Sequence, residues 1–224
     1  MSKKKLLISA LTKFLAGLVL MGLILFLPAG TFDYFNGWLF LGLLFVPMVL
    51  LGVVLFIKAP ALLEKRLQSK EKENTQKGVV AASALMFLGS FVLAGLDFRF
   101  GWTNVPMWLV IVAAVIMLAS YGMYAEVMRE NAYLSRTVEV QENQKVIDTG
   151  LYGVIRHPMY TATIFLFLSI PLVLGSWISF VIMLLYPVAI VARIGNEEKV
   201  LEEGLEGYKE YKEKVKYRLV PFIW

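Results

Sequence analysis

Gly150-Leu151-Tyr152-Gly153-Val154-Ile155-Arg156-His157-Pro158-Met159-Tyr160 packs polar, aromatic and turn-forming residues between two apolar regions, and it holds the only histidine of the chain. Pro158 gives the stretch its direction. Proline suits the first turn of a helix, because its missing N–H has no partner there and its φ is already helical. The stretch therefore reads as a polar loop that enters a membrane helix at Pro158. The N–H groups of that first turn, the helix dipole and the Arg156 charge then favour an anion on the loop side. A plainer reading makes Arg156-His157 an interfacial polar cap and Tyr160 an aromatic-belt residue.

Composition sets the class around this loop. The 224 residues are 58% hydrophobic and 17% charged, with mean hydropathy +0.69, the balance of an integral membrane protein. The absence of cysteine excludes disulfides, thiolate metal sites and cysteine nucleophiles. A single histidine argues against a histidine metal cluster, so no metal is expected. The net charge of +5 raises nucleic acid as a partner, but the placement of the charges follows a membrane instead.

Downstream of the loop, residues 160–193 are apolar and interrupted midway by Gly175-Ser176-Trp177. Each half is about 15 residues, roughly 22 Å of helix, against a hydrocarbon core of about 30 Å. This predicts a short helical hairpin, with Pro171 and Pro187 able to kink its arms. From Glu197 on, Val200, Leu201, Leu205, Tyr208, Tyr211 and Val215 recur at helical spacing, the mark of an amphipathic helix against membrane or protein. The closing residues 219–224 read as an interfacial anchor.

Upstream, apolar runs at 6–27, 38–57, 79–96 and 105–124 predict four further spans. Lys13 lies inside the first and is expected to snorkel or to face the bundle. The charged loop 58–77 is solvated, with part of it able to lie as a surface helix. Residues 126–135 continue the fourth span as helix, and 136–146 alternate as in a short extended piece. The chain thus reads as an all-α polytopic bundle of about six transmembrane segments, with a five-crossing variant open. It divides into a four-span region, 1–125, and a cofactor-binding region, 126–224. All lysines and arginines except Arg99 fall on one side of this topology, so the positive-inside rule puts both termini and the Arg156-His157 loop in the cytoplasm.

Three polar clusters converge on that side: the loop itself, Arg193-Ile194-Gly195-Asn196-Glu197-Glu198 at the exit of the hairpin, and the end of the fourth span with Asn131, Ser135 and Gln141. Each has a plain alternative. Arg193 and Glu197, four apart, suit a helix-surface pair worth a few tenths of a kcal/mol. Glu197-Glu198 suits a solvated helix start, and Asn131 and Ser135 suit bonds back to their own helix. An arginine at the membrane border nevertheless needs a reason.

Gly150-x-Tyr152-x-x-x-Arg156-His157-Pro158-x-Tyr160, then a hairpin, then Arg193-Ile-x-x-Glu197-Glu198-x-x-Leu201 and Gly207-Tyr208-x-x-Tyr211 resemble the isoprenylcysteine carboxyl methyltransferase family, most of all its bacterial branch. That branch shares Asn131-x-x-x-Ser135 and the closing run from Tyr217-Arg218-Leu219-Val220-Pro221 to Trp224. The resemblance covers about residues 120–224, and the first three spans carry none of its motifs. It implies methyl transfer from S-adenosylmethionine inside a membrane-embedded helical fold. Arg156, His157, Pro158 and Tyr160 fall on the cofactor loop, Glu197 and Glu198 on the acidic cofactor pair, and Arg193 on the arginine facing the reacting carboxylate. Gln141 and Tyr152 join the cofactor pocket, and Asn131 and Ser135 go to the substrate side.

Elementary chemistry fits those assignments. The cofactor's carboxylate suits the helix start and Arg156, and its ammonium and ribose hydroxyls suit Glu197 and Glu198. Its sulfonium already activates the methyl group, so positioning and water exclusion carry most of the rate. Arg193 suits a planar two-point contact to a carboxylate. No G-x-G-x-x-G occurs, so a soluble nucleotide fold is not the carrier. The expected partners are the bilayer and a lipophilic or lipidated acceptor, with no nucleic acid. That acceptor stays open among a carboxylate, a phosphate-linked amine and another lipid head. Sterol reductases look similar in this region, which leaves an NADPH-dependent reductase as an alternative, and a non-enzymatic scaffold is a third.

Overall fold

The computed structural model of the chain describes residues 2–67, 74–134 and 140–224. Ser135 and the alternating residues 136–139 lie outside the described residues. The helices are α1 (Lys3–Ala29), α2 (Phe35–Lys58), α3 (Pro60–Leu67), α4 (Asn74–Phe100), α5 (Met107–Glu130), α6 (Pro158–Val173), α7 (Trp177–Met183), α8 (Leu185–Gly204) and α9 (Tyr208–Lys214), with one 3-10 turn at Gly150–Gly153. No strand occurs among the described residues. Residues 140–146, the described remainder of the expected extended piece, are irregular around a turn at Glu142 and Asn143.

Among the described residues, five helical stretches are long and apolar enough to cross a membrane: α1, α2, the 83–100 part of α4, α5, and α7 with α8. The chain is thus an integral, multi-pass membrane protein. α6 is the shorter apolar helix, 16 residues or about 24 Å. It need not match the bilayer, because most of its length is enclosed by protein, with Phe165 the exposed residue on it. Leu166, Ile170 and Val173 of α6 sit in one core with Leu25 and Phe26 of α1, Phe40 and Phe45 of α2, Phe91 of α4 and Met117 of α5. Leu11, Leu15 and Val19 of α1, Val49 and Val53 of α2 and Val188 of α8 are exposed instead, the faces a bilayer would cover.

Two details explain how the bundle closes. A Cβ on Gly95 would stand 2.7 Å from the Leu25 carbonyl oxygen, so glycine lets α4 cross α1 at backbone distance. Lys13, the isolated charge of the first span, reaches the bundle's own edge, its Nζ donating to the Leu67 carbonyl at the end of α3 at 2.5 Å. α3 in turn buries Leu62 and Leu63, Leu62 in a cluster with Val127, Met128 and Tyr152.

The predicted hairpin is present, with arms of unequal length. The first is α6, and the second runs from Trp177 to Gly204 because the helix carries on through the charged residues beyond Arg193. The break between α7 and α8 falls at Leu184, three residues before Pro187, whose missing N–H leaves the Met183 carbonyl without its helical donor. The turn at the head of the hairpin uses Gly175 at φ 83°, a conformation open to glycine. Side chains hold that head in place. The Tyr34 hydroxyl donates to the Leu174 carbonyl at 2.6 Å and Asn36 Nδ2 to the Val173 carbonyl at 2.7 Å. Buried Asp97 accepts from the Thr103 backbone N–H at 2.7 Å and from the Ser176 hydroxyl. The apolar stripe after Glu197 also occurs, but Gly207 at φ 81° divides it. Leu205, Tyr208, Tyr211 and Val215 then pack on Leu201, Val140 and Val146, so the stripe faces protein.

Candidate functional site

α6 begins at Pro158, with His157 as the residue before it, as the sequence predicts. The neighbourhood of that start differs from the expected open anion site. The segment after α9 runs beside the loop, so the Arg156 backbone N–H donates to the Tyr217 carbonyl at 2.8 Å and the His157 N–H to the Arg218 carbonyl at 2.9 Å. The Tyr160 N–H bonds back to the His157 carbonyl. The Arg156 guanidinium is 5% exposed and is held by protein through Nε to Glu198 Oε1 at 2.8 Å, and through Nη1 to the Val215 and Lys216 carbonyls at 2.8 and 2.9 Å.

Glu197 and Glu198 are neighbours on α8, so they point about 100° apart. That angle gives them separate surroundings. Glu198 turns inward and is buried. Its Oε1 meets Arg156 Nε and, at 3.2 Å, His157 Nε2. Its Oε2 accepts from Arg218 Nε and Nη2 at 3.0 and 2.8 Å. Three side chains, offering four nitrogens to one carboxylate, make a satisfied buried ion cluster. Glu197 turns to an open cavity with its side chain 24% exposed. There it accepts the proton of the Tyr160 hydroxyl, which itself accepts from Arg193 Nε at 2.8 Å. His157 Nδ1 lies 3.9 Å from Glu197 Oε1. Arg193 and Glu197, one helical turn apart on α8, are thus joined through a residue of α6.

The cavity encloses about 110 Å³ behind an open mouth, smaller than the roughly 300–1,000 Å³ usual for ligand pockets. Asn131, Tyr152, Arg156, His157, Tyr160, Arg193 and Glu197 line it. Glu198, Gln141 and Pro158 stand behind the wall. Gln141 braces the loop, its Nε2 donating to the Tyr133 carbonyl and its backbone N–H to Gln144 Oε1 at 2.8 Å. Asn131 Nδ2 donates to the Tyr152 hydroxyl at 3.0 Å. The remaining wall includes Tyr133, Gln144, Lys145, Tyr208 and Tyr211, with Met159, Leu201 and Leu205 among its apolar surface. Sequence reasoning put Leu201, Leu205, Tyr208 and Tyr211 on an amphipathic helix and gave none of these residues a place in the pocket. Tyr208, Tyr211 and Arg218 stood within matched motifs, whereas Gln144 and Lys145 carried no signal.

The start of the loop depends on glycine. Gly150 has φ 52°, and a Cβ there would stand 1.4 Å from Glu130 Oε1. The Glu130 carboxylate uses that space to accept the Leu151 N–H at 3.1 Å. Tyr152 then enters the wall, and its carbonyl accepts the Tyr211 hydroxyl at 2.8 Å. Burial pushes the Tyr152 phenol up to about 12. Burial also raises Tyr211, and raises Tyr208 with help from the Glu198 and Glu197 charges. The Tyr208 hydroxyl is buried with no hydrogen-bond partner among the described residues.

A cavity walled by Glu197, by the cations Arg193 and Lys145, and by Met159, Leu201 and Leu205 suits a ligand carrying both signs of charge and a flat apolar part. Residues 105–206 match the model of a known family, PEMT: Phospholipid methyltransferase. The match runs from just before α5 to just after α8 and takes in Asn131, Tyr152, the Arg156 loop, Arg193 and both glutamates. Methyltransferases of that family use S-adenosylmethionine. No curated protein matches the chain.

Proposed function

We propose, from the match of residues 105–206 to the model of a phospholipid methyltransferase family, that this protein methylates a lipophilic acceptor from S-adenosylmethionine. The acceptor is a carboxylate of the isoprenylcysteine kind or a lipid head group. The observation that carries the reading is the Arg193–Tyr160–Glu197 chain on the wall of a cavity with an apolar side. The donor set suits the cofactor. Glu197 offers a carboxylate to an ammonium or to ribose hydroxyls, Lys145 offers a cation to a carboxylate, and Tyr152, His157 and Leu201 offer flat or apolar surface.

Bound there, the cofactor supplies a methyl group already activated by its sulfonium. The chain's own residues supply position. Arg193 holds the anionic group of the acceptor, with the Tyr160 hydroxyl fixing the plane of its guanidinium. Glu198 acts from behind the wall, holding His157 and the Arg156 loop against the segment that carries Arg218. Gln141 braces the Tyr133 side, Pro158 starts the helix, and Asn131 and Ser135 belong to the acceptor side. Leu201, Leu205 and Met159 exclude water. The distribution of basic residues supports a cavity mouth, and both termini, on the cytoplasmic side.

The test is titration calorimetry of detergent-solubilised protein with S-adenosylhomocysteine. A dissociation constant on the order of 1–100 μM is expected. No heat up to about millimolar ligand, or thermal protection by NADPH and not by S-adenosylhomocysteine, overturns the reading.

A further inference from the structure

Tyr208 opens α9 immediately after Gly207, whose left-handed backbone turns the chain back across the end of α8. The residue is 4% exposed and forms part of the cavity wall. Its ring packs with Leu205, Tyr211 and Val215, and its centroid lies 5.8 Å from that of Tyr211. Packing therefore asks only for an aromatic ring at this position. The hydroxyl is the anomaly. It is buried without a partner among the described residues, and an unmade hydrogen bond in a dry site carries a desolvation penalty that phenylalanine would avoid. The neighbouring tyrosines are different: Tyr211 donates to the Tyr152 carbonyl, Tyr160 bridges Arg193 and Glu197, and Tyr152 accepts from Asn131. Burial and the two glutamate charges hold the Tyr208 phenol protonated, so the group is a donor awaiting an acceptor.

We infer that Tyr208 is a cofactor-binding residue whose hydroxyl donates a hydrogen bond to an acceptor atom of the bound S-adenosyl ligand. The inference rests on the methyltransferase reading and extends the site beyond the 105–206 match, into the segment after α8. It also predicts opposite signs for two observables, which a purely structural tyrosine does not.

The experiment compares wild type, Tyr208→Phe and Tyr211→Phe, full length in detergent, by thermal unfolding without ligand and by calorimetry with S-adenosylhomocysteine. For Tyr208→Phe the unliganded melting temperature stays level or rises, while the dissociation constant increases roughly three- to tenfold. Tyr211→Phe lowers the melting temperature, because it strips the Tyr152 carbonyl of its donor. Wild-type affinity in Tyr208→Phe, with the wild type binding normally, overturns the role of Tyr208 and leaves the methyltransferase reading standing. Absence of binding in the wild type removes both.

Discussion

Arg218 places two nitrogens, Nε and Nη2, on the same oxygen of Glu198, at 3.0 and 2.8 Å. The other oxygen of that carboxylate serves Arg156 and His157. One glutamate of α8 therefore ties the loop before α6 to the segment after α9, alongside the backbone bonds from Arg156 and His157 to Tyr217 and Arg218.

Replacing Glu198 with Ala leaves the buried Arg156 charge without its counter-ion, a loss of about 3–5 kcal/mol. Thermal unfolding in detergent should show a large drop for Glu198→Ala. Arg218→Ala, which removes a partner that is itself partly exposed, should cost about 1–2 kcal/mol. Glu197→Gln should leave the melting temperature near wild type and weaken S-adenosylhomocysteine instead. Equal stability losses for the two glutamate variants would contradict the division of roles.

Tyr160→Phe removes the atom that joins Arg193 to Glu197. Turnover should fall about tenfold to a hundredfold, as misplacement of a reacting group does, with a smaller change in cofactor affinity. Arg193→Lys keeps the charge and loses the planar fork, so it should reduce turnover at least as far. A single-turnover methylation assay with a lipophilic carboxylate acceptor measures both, and unchanged rates in either variant would exclude Arg193 from the acceptor site.

Tyr152 gives the fold an alkaline limit. Its phenol ionises near pH 10 in the unfolded chain and is pushed up to about 12 by burial in the folded one. Below pH 10 both states are neutral and the full stability is present. Between about pH 10 and 12 the unfolded chain loses its proton first, so stability falls by roughly 2–3 kcal/mol. Denaturation followed against pH should show this decline, and Tyr152→Phe should make it shallower, with Tyr208 and Tyr211, also raised by burial, keeping the rest.

Gly150→Ala meets the Glu130 carboxylate and a positive φ together. A strain of about 1–3 kcal/mol should loosen the turn that carries Tyr152, with cofactor affinity falling alongside stability. Pairing it with Glu130→Ala should restore part of the loss, since the steric conflict is then removed. No recovery in the double variant would show that backbone strain alone governs the position.

Much of this architecture was legible because hydrocarbon imposes simple rules. Apolar runs of spanning length, Pro158 at a helix start and Gly175-Ser176-Trp177 at a turn are local signals, and each matches an element. The cavity was legible in part: the sequence brings Tyr152, His157, Tyr160, Arg193 and Glu197 into one group, and the folded chain puts all of them on one wall. The partners of Arg156 and Glu198 were not legible, because they depend on where residues 215–218 return, a long-range contact with no periodicity to announce it. Gln144 and Lys145 reach the wall from an irregular loop for the same reason. The turn at Gly207 was hidden because apolar spacing continues across it.

The bonds from Tyr34 and Asn36 to the Leu174 and Val173 carbonyls at the end of α6, with Asp97 and Ser176 beside them, hold the head of the hairpin to the bundle. The central helix is bolted at both extremities, here and at its start through Arg156, His157 and Glu198. On the methyltransferase reading, cofactor and acceptor would then reach the cavity without displacing α6 as a whole. Their traffic becomes a question of sequence in time, which stopped-flow binding with either one preloaded can resolve.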